Sequence, residues 1–190
     1  MRTNHPSFER MLGIFLILFV AVYALIMFAK LIIRAHGRQF NTAAINACKA
    51  FAEAEEMYRR EKYGRDDFYA SSFSALIGSK GELNLIDKGF SDAELGNRTE
   101  VPRAGYLFKV LTSQGVSAVG GRHLYFDEKG HMTLGYALVG CPSEYDSTGR
   151  LTYMINNNGT IYEKDLGQDT RAIVNAMTEF DPDTTWVPSQ

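Results

Sequence analysis

From Met11 to Ala29 the chain carries no charged side chain: "MLGIFLILFVAVYALIMFA", 19 residues. About 20 apolar residues at 1.5 Å each cross a hydrocarbon layer of about 30 Å. The stretch therefore reads as a membrane anchor, extended by Leu31, Ile32 and Ile33 once Lys30 snorkels outward. Met11, Phe15, Phe19, Tyr23 and Phe28 are its bulky lipid-facing side chains. A buried core helix is the bland alternative, but such a helix seldom stays apolar on every face for five turns. A cleaved signal peptide is the nearer rival. Its apolar region usually runs 7–15 residues and ends at a small-x-small site, and neither feature is present.

Charge is uneven around this segment. Up to Arg38 there are five Lys/Arg and one acid, Glu9, while the remainder holds 15 Lys/Arg and 21 Asp/Glu. An acidic domain behind a basic collar is a poor partner for phosphate backbones, so nucleic acid is excluded as a partner. Arg2 and Arg10 precede the span and Lys30, Arg34 and Arg38 follow it. That leans by one charge toward a cytoplasmic C-terminal domain and does not fix the orientation.

Beyond the span, Phe40, Ala44, Ala47, Cys48, Phe51, Ala54 and Tyr58 recur every three or four residues. This is one apolar stripe of a helix, with Asn41, Asn46, Lys49, Glu53, Glu56 and Arg60 on the polar side. No proline falls between Ser7 and Val101, so one helix from about Phe8 to Lys62, roughly 80 Å long, is expected. Gly37 is its soft spot and Gly64 its C-cap. Glu55–Arg59 and Glu56–Arg60 read as i,i+4 ion pairs, and the cations Arg59, Arg60, Lys62 and Arg65 suit the end of the helix dipole.

"FYASSFSALI" predicts a short helix, and "GSKGELNLIDKGFSDAELG" a loop with a helical turn after Ser91. From Gly105 the pattern turns to β. "YLFKVLTS" is a strand, followed by the Gly-rich loop "SQGVSAVGGR". "HLYFDEKGHMTLGYALVGC" reads as a hairpin turning at Glu128–Gly130. "LTYMINNNGTIYEKDL" reads as a second hairpin, with Asn158-Gly159 as a two-residue type I′ turn. "DTRAIVNAMTEF" predicts a closing helix with Asp169 as N-cap and Ala172, Ile173, Ala176, Met177 and Phe180 as its apolar face. Trp186 pins the tail. The fold class is α+β: a long N-terminal helix, transmembrane and then amphipathic, packed on an antiparallel sheet of about four strands with a C-terminal helix. Its boundaries are a tail at 1–10, a transmembrane helix at 11–33, an amphipathic helix at 34–62 and a globular domain at 63–190.

This layout resembles type IV pilins and type II secretion pseudopilins. The stretches "GYLFKVLTSQG", "MTLGYALVGCPSEYDSTGR", "YMINNNGTIYEKDLG" and "MTEFDPDTTW" resemble a family of bacterial exported domains of uncharacterised function, over Gly105 to Trp186. These resemblances imply a single-pass protein of the bacterial cytoplasmic membrane with an extracytoplasmic domain. They also imply self-association, or association with other membrane subunits, through the N-terminal helix. The prepilin processing pattern is not matched. Ser7 rather than Gly or Ala precedes Phe8, Glu9 stands second rather than fifth, and Leu12 holds the fifth place.

Little catalytic chemistry is visible. Ser-His-Asp, Cys-His and H-E-x-x-H patterns are missing, and Gly120-Gly121-Arg122-His123 lacks the helix and Lys of a phosphate loop. His123 and His131 flank Asp127 and Glu128, where a turn explains them as well as a metal would. Asp181 and Asp183, near Glu179, are the carboxylates from which a Ca²⁺ site would be built, a site some pseudopilins have in this region. Asp-Pro-Asp-Thr is also a ready turn. Cys48 and Cys141 are either one disulfide or two buried thiols; a bridge would close a loop of about 94 residues and stabilise by roughly 4–5 kcal/mol. The expected function is a non-enzymatic, membrane-anchored, pilin-like structural subunit without a cofactor. The alternatives are an accessory subunit of a larger membrane complex and an anchored Ca²⁺- or ligand-binding module.

Overall fold

The structure, a computed structural model, describes residues 8–61, 63, 67–78 and 84–189, with the backbone alone at 8–10 and 29–38. Its first element is the helix α1, Phe8–Arg60. Gly37 falls inside those bounds, and Arg59 and Arg60 occupy the last turn. The expected end at Lys62, the C-cap Gly64 and the side chain of Lys30 lie outside the described residues. The chain divides into two units, one up to Arg38 and one from Gln39 onward.

In the second unit the apolar stripe of α1 is buried as its spacing demands. Ala44, Ala47, Cys48, Phe51 and Ala54 are inaccessible to solvent, with Phe40 and Tyr58 at the margins. Phe51 meets Phe73 and Tyr136 edge-on, at 5.8 and 5.9 Å between ring centres. Phe73 belongs to α2 (Phe73–Ile77), capped by the Ser72 hydroxyl, which accepts from the Ala75 N–H. Phe73 also touches Phe90 of the single turn α3 (Gly89–Asp92).

The strands are β1 (Tyr106–Leu111), β2 (Ser113–Gln114), β3 (His123–Leu124), β4 (Ala137–Pro142), β5 (Leu151–Asn156), β6 (Tyr162–Asp165), β7 (Glu179–Phe180) and β8 (Val187–Pro188). The helix α4 (Thr170–Ala176) lies between β6 and β7. Five strands form an antiparallel sheet in the order β1-β4-β5-β6-β8; a second sheet runs β3-β2-β7. Four strands were expected from the apolar pattern. The additional ones are two residues long, too short to show a period.

Register assigns the two faces. Tyr106, Phe108, Gly140 and Tyr153 share one face through the pairs Tyr106↔Pro142, Phe108↔Gly140 and Gly140↔Tyr153. On that face Tyr106 donates to Asn41 Oδ1 of α1 at 3.2 Å, and Phe108 meets Phe90. Lys109 on the opposite face donates to the carbonyls of Asn175 and Met177 at the end of α4. Tyr162 of the same face meets Phe180 of β7. The five-stranded sheet is thus covered on both sides, which explains why every residue of β4 is buried.

Three local expectations are corrected. The Asn158-Gly159 turn is not type I′. Gly159 has φ +78° but Asn158 is not in the left-handed region, and the loop between Met154↔Tyr162 is longer than two residues. Here the Asn156 carboxamide accepts the Asn158 N–H and the Asn156 carbonyl accepts the Gly159 N–H, so an Asx-type turn replaces the tight one. The 123–141 stretch is not a simple hairpin. Its turn exists, with a Phe126↔Met132 bridge, but β4 leaves to pair with β1 and β5. Finally, α4 buries Thr170 and Val174, while Ala172, Ile173 and Ala176 face solvent; Asp169 makes no side-chain cap. The helix stops at Ala176, and Glu179 and Phe180, expected to continue it, pair with β2 instead.

A side chain on Gly140 would meet the Phe108 ring, 2.7 Å from its Cε1. Gly140→Ala should therefore destabilise the domain by about 1–3 kcal/mol in chemical denaturation, by overpacking. An unchanged midpoint would mean that Phe108 does not lie over this position.

Candidate functional site

The feature with the clearest chemical purpose is the stretch Met11–Phe28. It is 18 residues long, has a mean hydropathy of 2.8, and none of it is buried inside the protein. Met11, Phe15, Phe19, Tyr23 and Phe28 are all exposed, Phe19 at 70%. In water such a surface is unfavourable by about 25 cal/mol for each Å² left uncovered, and in lipid it is not. One apolar helix compatible with a membrane span is what these residues establish.

In the domain, the residues singled out from the sequence are put to structural use. Asp181 Oδ1 accepts the Ser117 N–H at 2.7 Å. Asp183 accepts the backbone N–H of Thr185 at 2.8 Å and its hydroxyl. These carboxylates tie loops rather than converge. Among the described residues no group of three or more His, Cys, Asp or Glu stands ready to hold a metal ion. His123 and His131 are likewise separate. His131 stacks on Phe68 at 4.2 Å and lies 3.5 Å from Asp127, while His123 sits edge-on to Tyr125.

Cys48 on α1 and Cys141 on β4 are both buried and free. Burial pushes both thiols up to about 12. Of the two readings left open by the sequence, the structure contains two thiols.

The Gly-rich loop after β2 is held by buried polar groups. Gln114 Nε2 donates to the carbonyls of Val119 and Gly121, both at 2.8 Å, and its Oε1 faces Tyr125 and Asn156. The loop thereby presents Val116 and Val119 to solvent. A surface groove of about 410 Å³ lies between Leu95, Gly96, Glu100, Arg171, Ala172 and Asn175. Its charges are already matched: Arg171 pairs with Glu100, which also accepts the Gly96 N–H.

The group the sequence reading misplaced is Glu55. It is fully buried, and its Oε2 accepts the Ala70 N–H at 2.7 Å while Oε1 has no partner. The expected Glu55–Arg59 pair does not form. Arg59 donates to the Tyr69 hydroxyl at 2.7 Å and lies over its ring, and Arg60 pairs with Glu61 instead of Glu56. Burial, the largest cause, drives the Glu55 carboxyl well above its ordinary range; the Ala70 N–H opposes this and the Glu56 charge adds to it. The signal was available in the spacing. Position 55 falls four after Phe51 and seven after Cys48, on the stripe itself.

The thiol state is directly checkable. Native protein should react with a thiol reagent at neither cysteine within minutes at pH 8, because both are buried and protonated. Denatured, unreduced protein should give two thiols per chain. No thiols before reduction would establish a bridge.

No curated protein and no solved structure matches the chain significantly. A family match runs over residues 29–188, beginning just past the exposed apolar stretch and taking in all of Gly105 to Trp186. The chain belongs to the family described as protein of unknown function (DUF2950).

Proposed function

We propose that the chain is a non-enzymatic, single-pass subunit of a bacterial cytoplasmic membrane. Met11–Phe28 lies in lipid, and the domain from Gln39 onward stands outside the membrane as an assembly or docking head. The observation that carries this reading is the span: 18 apolar residues, none covered by protein, on a chain whose domain already has a complete core.

Assembly through the apolar helix, as in pilin-like subunits, is supported by the state of the sheet edges. An open edge strand invites pairing with another chain. Here β1 is shielded by residues 93–95, whose backbone bonds to Phe108, and the far edge β8 is two residues long and ends in Pro188. Strand addition is thus disfavoured, and the span is the larger unpartnered apolar surface. Between lipid-embedded helices the contacts would be van der Waals packing. An accessory role in a larger membrane complex is the second reading, favoured by the position of Glu9 outside the prepilin pattern.

The native protein should stay in the membrane pellet after alkaline carbonate extraction, and a variant lacking residues 11–28 should be soluble and folded. Phe19→Arg should weaken insertion, since a mid-span cation costs about 2.5–3.5 kcal/mol. Protease added outside spheroplasts should degrade the head. Recovery of the intact chain in the soluble fraction would overturn the anchor, and a protected head would overturn the orientation. Native membranes solubilised in mild detergent should give a self-assembly under the pilin-like reading and a co-purifying integral membrane protein under the second.

A further inference from the structure

We infer that Glu55 is a proton-operated latch: neutral, its carboxyl clamps the Tyr69–Ala70 segment to α1, and once charged it lets that segment open locally. The geometry is unusual for a surface-length acid on a helix. Both oxygens are withdrawn from solvent, a single backbone N–H at 2.7 Å serves Oε2, and Oε1 is left without any partner. One neutral donor is far too little to stabilise a buried negative charge.

Among the described residues no cation pairs with Glu55. On α1 the neighbours are Glu56, Tyr58 and Arg59; Glu56 is itself an acid, and Tyr58 feels the Glu55 charge as unfavourable. Arg59 is the cation of this set, and it is engaged by the Tyr69 hydroxyl and ring. From the 67–70 segment come Asp67 and Tyr69, both coupled to Arg59. From the segment before β4 comes Tyr136, whose own ionisation Glu55 and Glu56 oppose. His131 stands behind Phe68, beside Asp127.

Relief has to come by admitting water, and the segment that Glu55 itself holds, 67–70, is where it would enter, although Tyr69 and Ala70 are buried there. It has no regular secondary structure, and its backbone is tied down by the Tyr69 N–H to Met132 at 2.8 Å and by the Ala70 N–H to Glu55 itself. Opposite it, α1 is anchored by Cys48 and Phe51 in the core. The closed state binds a proton that the open state releases, because burial raises the carboxyl in the closed state alone. Closure is therefore strongest below the ordinary carboxylate range and weakens as pH climbs toward the raised value. The opening constant grows by up to about tenfold per pH unit within that window.

The test is amide hydrogen exchange on the full chain in detergent micelles from pH 5 to 8, each rate divided by its intrinsic value. In the wild type the opening of Ala70 should rise with pH, approaching tenfold per unit, while Leu138 in β4 stays flat. Glu55→Gln, which fixes the neutral form, should remove the rise, and His131→Gln should retain it. A flat wild-type profile, a rise that survives Glu55→Gln, or one lost in His131→Gln overturns the proposal. Should Glu55→Gln not fold, the wild-type profile is joined to a ¹³C titration of the Glu55 carboxyl. A midpoint in the ordinary carboxylate range rejects the latch, and a midpoint clearly above it together with the exchange slope supports it.

Discussion

The domain depends on one contact: the stripe of α1 from Ala44 to Ala54 pressed on the face of the sheet that carries Tyr106, Phe108 and Tyr153. Small residues at 44, 47 and 54 let the helix approach, and Phe51 fills the space left between α2 and Tyr136. Burial of apolar surface is the dominant favourable term, and a sheet with one greasy face open to water would not be stable alone. Once α1 covers that face, the others follow. Phe73, Phe90 and Phe108 form a chain of rings along it, and Lys109 fastens the end of α4 on the reverse side.

Polar groups inside this domain serve placement more than stability. Gln114 orients a Gly-rich loop by two carbonyl bonds, Asp181 captures an amide of the same loop, and Tyr106 ties α1 to β5 through Asn41 and Leu151. Each such bond adds about 1 kcal/mol net, yet an orphaned partner would cost more. Thr152 and Glu55 depart from this pattern, the first with an unpartnered hydroxyl and the second, a carboxyl, with an oxygen left over. A half-satisfied buried acid is a poor structural brace and a good sensor, because its charge state and its burial are in direct conflict.

The proposed anchor and the proposed latch use different physics in separate parts of the chain. One relies on a stretch with nothing to bury against, the other on a group buried too well. The family match over residues 29–188 covers Glu55 and begins past the exposed apolar residues. The latch thus concerns the domain shared with the family, and the membrane reading rests on residues 11–28 alone.

The sequence by itself determined the apolar span, the stripe on α1, the β5–β6 hairpin and the α+β class. Each is a periodic or uninterrupted pattern longer than a few residues, and periodicity is set by backbone geometry. The turn at Asn156–Gly159, the exposed side of α4 and the burial of Glu55 were decided by tertiary structure. In each of these the sequence allows two local outcomes of similar energy. For α4 and Glu55 the choice is made by a distant partner, β2 claiming Glu179–Phe180 and Tyr69 drawing Arg59 away from Glu55, while at the turn the Asn156 side chain takes the Asn158 amide two residues on. A partner 10 or 60 residues away leaves no mark on local spacing, and the energy that selects it exists only once the chain has folded.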